Sequence, residues 1–172
     1  MTEVFSTQRL WVRRLDADCL SDLMTLFSDP QAIRDFAMAG RPAPDPREVL
    51  RRTLHDYGAY GHGFYGLHLK ENGVMIGLVG LLRQRIEARD DVEVGYRLHP
   101  EYWGQGYALE AAVAARNHAF ETLAVDRVIS LILPENLASR RVAERSGMRF
   151  AGRRHWSEKD LEIDLFVFPR PT

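Results

Sequence analysis

The clearest chemical pattern in the 172-residue chain is HPEYWGQGYALEAA, residues 99–112. Gly104 and Gly106 stand between a strand pattern and a helical pattern. Such a loop presents consecutive backbone N–H groups at the positive end of a helix dipole, and these sites bind anions, above all phosphates. The third glycine of a dinucleotide-binding loop and the Gly-Lys-Ser/Thr ending of a P-loop are both missing. The pattern therefore predicts either a phosphate-binding loop or an ordinary glycine-rich turn.

A second segment, NLASRRVAERSGMRF, covers residues 136–150 and follows a short apolar run. Asn136 has the side chain of a good helix N-cap, and Ser139 lies one turn further on. By themselves, these two positions are equally well explained as a cap and a helix-surface residue.

In this order and spacing, the two segments resemble the GNAT superfamily of acetyl-CoA-dependent N-acetyltransferases. The loop is similar to the pyrophosphate signature of that superfamily, although Trp103 replaces its usual Arg or Gln. Trp-Gly-x-Gly-Tyr-Ala is the form shown by the ribosomal-protein-alanine acetyltransferase-like (Rim-type) branch. The NLAS segment, the opening STQRL (residues 6–10) and EVGY (residues 93–96) also resemble that branch, with Met148 where Phe is commoner.

The resemblance implies a GNAT-like α/β fold with a mixed, mostly antiparallel sheet of about seven strands, splayed at its centre and flanked by helices. Residues 1–172 would form a single domain. In this family the pantetheine arm of acetyl-CoA pairs with the splayed strand as an added strand would, and the amide of Tyr96 or Arg97 would polarise the acetyl carbonyl. The implied cofactor-binding residues are Tyr96, Arg97, Leu98, Gly104, Gln105, Gly106, Tyr107, Ala108, Asn136 and Ser139.

Acetyl transfer to an amine requires a neutral amine and a proton for the departing thiolate. Many relatives use a tyrosine on the last helix as the acid, but Ala143 occupies the matching position, so Ser139 is the expected replacement. For the base, Glu158 falls where ribosomal-protein acetyltransferases place a catalytic glutamate, or it belongs to a charged loop. Glu93 is the alternative base, acting through water, unless it pairs with Arg97.

The expected reaction is direct attack of a primary amine on acetyl-CoA in a ternary complex. The acceptor is either a protein or peptide N-terminus or a small amine such as a polyamine, an amino acid or an aminoglycoside. Residues 31–62 and 153–162 are expected to wall the acceptor side. Candidate acceptor contacts are Arg34, Asp35, Arg41 and Asp45, and His155 is a third candidate base.

Two other functions fit parts of the sequence. The missing helix tyrosine suggests a non-catalytic acyl-CoA-binding regulatory module, although Ser139 and Glu158 are both retained. Residues 127–154 hold seven arginines against two acids, which favours either steering of cofactor phosphates or RNA contact. Aromatic residues do not alternate with these arginines, among which only Phe150 stands, so we expect no nucleic-acid partner.

The pattern of elements predicts how these residues are positioned. Alternating residues predict an opening strand over 9–14, a hairpin around Asn72-Gly73 and a cleft strand ending at Leu98. Helical spacing predicts a helix over 16–27, with Leu20, Leu23, Met24 and Phe27 packed inward. Helices are also predicted over 106–123 and 136–146, on either side of a buried strand.

Composition excludes several classes of protein. The net charge is −1 and 45% of residues are hydrophobic, which argues against a basic nucleic-acid binder and a disordered chain. The single cysteine, Cys19, excludes an internal disulfide, and the histidines lack metal-ligand spacing, so no metal is predicted. The longest apolar stretch, residues 73–82, is too short to cross a bilayer, and the first residues are unlike a signal peptide. We therefore expect a soluble cytoplasmic protein, either a monomer or a homodimer.

Overall fold

The computed structural model describes residues 2–172, and eight strands of this part of the chain form one sheet. In sheet order they are β1-β2-β3-β4-β5-β6-β8-β7, and every neighbouring pair is antiparallel except β5 and β6, which are parallel. The strands are β1 (Glu3–Ser6), β2 (Leu10–Arg14), β3 (Phe64–Leu69), β4 (Met75–Ile86), β5 (Arg89–Leu98), β6 (Arg127–Ile132), β7 (Arg149–Trp156) and β8 (Leu161–Pro169).

Helices cover both faces of the sheet. On one face, α1 (Leu20–Ser28), α2 (Arg34–Met38) and α3 (Pro46–Tyr60) pack over an apolar cluster that includes Leu78 of β4. On the other face lie α4 (Tyr107–Thr122) and α5 (Leu137–Arg145), over a cluster that includes Val79. The buried side of α4 consists of four alanines, which let the helix axis approach the sheet closely; they are Ala111, Ala112, Ala115 and Ala119.

The sheet is split at its centre. Only Val92↔Val128 and Glu93↔Ile129 pair β5 with β6, whereas β4 and β5 pair over ten positions. Past Glu93 the two parallel strands part, and the Ser130 hydroxyl donates a hydrogen bond to the Val94 carbonyl at 2.7 Å. The predicted α/β fold with a splayed, mostly antiparallel sheet is confirmed.

Several details differ from expectation. The sheet has eight strands rather than about seven, because the segment Glu3–Ser6 pairs with β2. The hairpin at Asn72-Gly73 forms as predicted, with Gly73 at φ +77°. Met24 is 44% exposed rather than packed inward, and Leu26 takes its place in the core. Within residues 2–172, the helices are too short or too polar to cross a membrane.

Candidate active site

The backbone of β5 exposes alternate residues to the split in the sheet. The Val94 carbonyl accepts a hydrogen bond from the Ser130 hydroxyl of β6, and the Leu98 carbonyl accepts one from the Trp103 indole N–H at 3.0 Å. Because backbone groups point to alternate sides along a strand, the N–H and C=O of Tyr96 face the same way. The Arg97 backbone faces β4, where Arg97 is in register with Leu78.

The glycine loop lies beside this open strand. Gly104 and Gly106 have φ of +74° and +83°, and Gly106 is the N-cap of the 16-residue α4. A Cβ added at Gly104 would have no atom within 4 Å, and one added at Gly106 would meet only the Arg9 guanidinium at 3.4 Å. Both glycines are therefore required by their backbone conformation, and the space in front of the helix N-terminus is open.

The opening STQRL segment fixes the loop in place. The Arg9 guanidinium pairs with Glu110 of α4 at 2.7 Å, donates to the Gln105 carbonyl at 3.0 Å and stacks over the Tyr107 ring. The Thr7 hydroxyl donates to the same Glu110 carboxylate at 2.5 Å. These contacts join the first turn of α4 to the start of β2. The STQRL segment therefore has a structural role in this fold.

Trp103 anchors the other end of the loop. Its indole N–H bonds to the end of β5, and the Arg34 guanidinium lies 5.0 Å from the centre of its ring. The substitution of Trp for the usual Arg or Gln thus supplies a strand-to-loop contact and a platform for a cation.

The α5 helix begins at the opposite wall. Asn136 caps it by accepting the Ser139 N–H at 3.2 Å, as predicted for a cap. The Tyr96 hydroxyl crosses from β5 and donates to the Ser139 carbonyl at 2.9 Å, which fixes the helix relative to the strand. Ala143 is 2% exposed within the core, so its position contributes no polar group.

A cavity of about 330 Å³ brings these parts together. It runs through the split sheet, since Tyr96 and Leu98 reach it from one face and Arg97 from the other. Its walls combine the glycine loop, the start of α5 and the α2 region. The predicted site residues that line it are Tyr96, Arg97, Leu98, Gly104, Gly106, Tyr107, Ala108, Asn136, Ser139, Arg34 and Asp35.

Glu93 lies where β5 and β6 separate. Burial raises the pKa of its carboxyl to about 7, although hydrogen bonds from the Gln84 side chain and the Leu131 backbone stabilise the charged form. The Gln84 contact is 2.6 Å long. Pairing of Glu93 with Arg97 is wrong, because the Arg97 guanidinium binds Asp35 in a bidentate pair at 2.6 and 2.8 Å.

The other candidate bases lie elsewhere. Glu158 is exposed and lines a second cavity, of about 520 Å³, that also contains Gln84. His155 is 53% exposed and faces Asp160 and Glu162, with its Nδ1 3.0 Å from the Glu162 carboxylate. The structure therefore brings Ser139 to the split in the sheet, but it places Glu158 in a different cavity.

Two positively charged residues of the cleft were missed as individuals by the sequence analysis. Of the seven arginines in residues 127–154, Arg141 and Arg145 line the 330 Å³ cavity. Their spacing of four residues on a helix that starts at the cleft is the signal that could have identified them.

Asp45, a candidate acceptor contact, instead caps α3 by accepting the Arg47 N–H at 2.8 Å. Among residues 2–172, no three His, Cys, Asp or Glu side chains gather as a metal ion would require.

The fold and this cleft define an acetyltransferase, and comparison with known proteins agrees. The chain belongs to the GNAT acetyltransferase family, since the family described as "Acetyltransferase (GNAT) domain" matches residues 9–149. It is 31% identical over 146 residues to YkkB of Bacillus subtilis (strain 168), covering 84% of each chain. An acetyltransferase structure from Agrobacterium tumefaciens str. C58 has a TM-score of 0.79 at 28% identity, covering 96% of this chain and 94% of that one.

A more distant structure has the same fold. RimL, a ribosomal L7/L12 alpha-N-protein acetyltransferase solved in complex with coenzyme A, superimposes with a TM-score of 0.77 over 97% of each chain, at 16% identity.

Proposed function

We propose that this chain transfers an acetyl group from acetyl-CoA to a primary amine by direct attack in a ternary complex. The observation that carries the proposal is the open backbone of Tyr96, which faces a cavity that runs through the sheet and is walled by the glycine loop and the start of α5. When bound, acetyl-CoA supplies an acetyl group activated as a thioester. The rest of the chemistry falls to residues of this chain.

The residues present fit the cofactor. The open space before Gly104 and Gly106, at the N-terminus of α4, suits a pyrophosphate, and Gln105, Tyr107 and Ala108 complete that loop. The Tyr96 and Leu98 N–H groups and the Tyr96 carbonyl suit an extended amide-bearing arm, and the Asn136 side chain lies at the facing wall. Four arginines line this cavity, and Arg97 is paired with Asp35. The other three favour an anionic ligand; they are Arg34, Arg141 and Arg145.

Tyr96 is the better donor for the acyl oxygen. Its N–H faces the cavity, whereas the Arg97 N–H faces β4, so the orientation favours Tyr96 among the two predicted amides. A backbone N–H held by a strand is pre-organised for charge that develops on an oxygen.

Glu93 is the base that the geometry supports best. A carboxyl with a pKa of about 7 is matched to proton transfer near neutral pH. Its side chain lies on the same face of the sheet as Arg97 and α2, opposite to the face of Tyr96. Since Glu93 does not itself line the cavity, we assign it to take the proton of the amine through water. Glu158 stays a second candidate base, at the edge of the neighbouring cavity.

Ser139 is the group we assign to the departing thiolate, as a hydrogen-bond donor to sulfur or as a relay that passes it a proton from solvent. It is half-buried on the cavity wall, and the contact between Tyr96 and its carbonyl holds it in position. A free thiol has a pKa near 8.5, so its departure needs only modest assistance, and a hydroxyl suffices where other family members place a tyrosine.

Thermal unfolding with acetyl-CoA, with NADH and ATP as controls, tests the cofactor. A ligand present at ~100 times its dissociation constant adds about 2.7 kcal/mol to the free energy of unfolding, so a shift with acetyl-CoA alone is expected. Release of coenzyme A thiol with a panel of amines then tests turnover. Binding with no turnover of any amine would replace the proposal by a non-catalytic acyl-CoA-binding module, and no binding would contradict both.

A further inference from the structure

The second cavity, of about 520 Å³, carries a positive charge that the acetyl-transfer chemistry does not use. It lies between α3, the far end of the β4–β5 hairpin and the loop before β8. Its lining includes four arginines against three carboxylates; the arginines are Arg51, Arg52, Arg83 and Arg85. Arg51 forms a bidentate pair with Glu48, outside the cavity, so the other three carry the argument.

The pairing within the cavity leaves donors unsatisfied. Arg83 and Arg85 share one carboxylate, that of Asp90, at 3.3 and 3.5 Å. Arg52 is 3.9 Å from Asp56, longer than a hydrogen bond. Because each guanidinium has five N–H donors, these three side chains keep most of their capacity to bind a further anion.

Further cations lie nearby. Burial and the positive charges of Arg41 and Arg52 lower the pKa of Lys159, whereas the neighbouring Glu158 raises it. The Arg83 guanidinium lies 5.2 Å from the centre of the Tyr60 ring and donates to its hydroxyl at 3.4 Å, which limits its movement. Cations are thus crowded and partly fixed around this cavity.

The cavity adjoins the proposed base. Gln84 lines it, and the same side chain donates to the Glu93 carboxylate at 2.6 Å. A ligand in this cavity therefore lies one side chain away from the group that we assign to accept the proton of the amine.

We propose that the acceptor carries an anionic group, a carboxylate or phosphate, and that Arg83, Arg85 and Arg52 bind it. This inference rests on the proposed acetyl transfer. Charge-assisted hydrogen bonds from arginine favour such an anion, and the same cations repel polyamines and aminoglycosides. Two kinds of acceptor combine an amine with such an anion: a peptide with an acidic N-terminal segment and a small acidic amine.

Matched acceptors test the inference. The peptides Ser-Asp-Asp-Ala, Ser-Asn-Asn-Ala and Ser-Lys-Lys-Ala form one arm, and O-phosphoserine, glutamate, glutamine and spermidine form the other, with coenzyme A release as the readout. We expect kcat/KM for the anionic members of one arm to exceed that of neutral members by about tenfold or more, and to fall towards them in high salt. The arm that shows the preference identifies the source.

The double variant R83Q/R85Q should reduce the preference to about twofold or less while leaving KM for acetyl-CoA unchanged. The control is Arg47→Gln, since Arg47 is 66% exposed, against 48% and 55% for Arg83 and Arg85, is also paired with a nearby aspartate, and does not line the cavity. Turnover that is equal for anionic and cationic acceptors, or a preference unchanged in the double variant, would overturn this inference and leave acetyl transfer standing. No turnover of any amine would instead contradict the proposed function.

Discussion

The Gln84 side-chain amide donates a 2.6 Å hydrogen bond to Glu93, at the point where β5 and β6 part. Glu93 thus combines burial, which raises its pKa, with a donor that stabilises its charged form. These two opposing effects set the pKa of the Glu93 carboxyl, and each can be altered separately by mutation.

Glu93→Gln should lower kcat by about 10² to 10⁴ if Glu93 is the general base. The wild-type rate should rise with pH through an apparent pKa near 7, and this limb should be absent in the variant. Steady-state kinetics between pH 5.5 and 9 check both points. A loss of less than a few-fold, with the limb retained, would transfer the role to Glu158, for which Glu158→Gln is the parallel test.

Gln84→Met should shift the acid limb without removing it. Methionine keeps the length of the side chain but donates no hydrogen bond, so the charged form of Glu93 loses a stabilising contact and its pKa rises. The pH–rate profile should move to higher pH while the plateau rate changes much less. Gln84→Glu is not a suitable control because it adds a like charge; Gln8→Met, in the opening segment, tests for general effects. An unmoved limb would mean that Gln84 has only a packing role.

The same carboxyl makes folding pH-dependent. The pKa of Glu93 is raised on folding, from an ordinary value of 4.5 to about 7, so the folded state holds the proton more tightly than the unfolded state. The stabilisation from this proton is up to about 3 kcal/mol of unfolding free energy and is fully present below pH 4.5. It decreases as the pH rises and is lost above pH 7. Urea unfolding at pH 5.5 and 8 should show a smaller difference in Glu93→Gln than in wild type; an equal difference would place the pH dependence in other groups.

Gly106→Ala separates backbone strain from cofactor binding. Gly106 and Gly61 have nearly the same backbone, at φ +83° and +80°, and Gly61 ends α3 with no atom within 4 Å of an added Cβ. Alanine at either position should cost about 1–2 kcal/mol in stability. Only Gly106→Ala should weaken acetyl-CoA binding, by about tenfold or more, measured by calorimetry. Equal affinity in the two variants would show that the loop does not hold the pyrophosphate.

Much of this arrangement could be predicted from sequence because it depends on local patterns. The glycine loop, the Asn136 cap and the hairpin at Asn72-Gly73 each follow from the conformational preferences of a few adjacent residues. The tight β4–β5 turn has no such mark in the sequence, because Glu87 and Ala88 adopt positive φ without a glycine.

The partners of charged side chains could not be predicted in this way. Arg97 binds Asp35 on α2, and Glu93 is left with Gln84, because the packing of α2 against the sheet decides which carboxylate reaches the guanidinium. Contacts between residues far apart in sequence depend on the whole fold, and a strand pattern shows only which face a side chain occupies.

Ser139→Ala should reduce kcat by at least about tenfold and change the dissociation constant of acetyl-CoA by less than about twofold. The hydroxyl is assigned to the departing thiolate, whereas the N-terminal contact of α5 with Asn136 uses the Ser139 backbone and survives the substitution. Tyr96→Phe should also lower kcat, because the hydroxyl that holds the Ser139 carbonyl is lost. If Tyr96 acts by positioning Ser139, the two effects should be less than additive in the double variant. Full additivity would give Tyr96 an independent role, and an unchanged kcat in Ser139→Ala would return Ser139 to the helix surface.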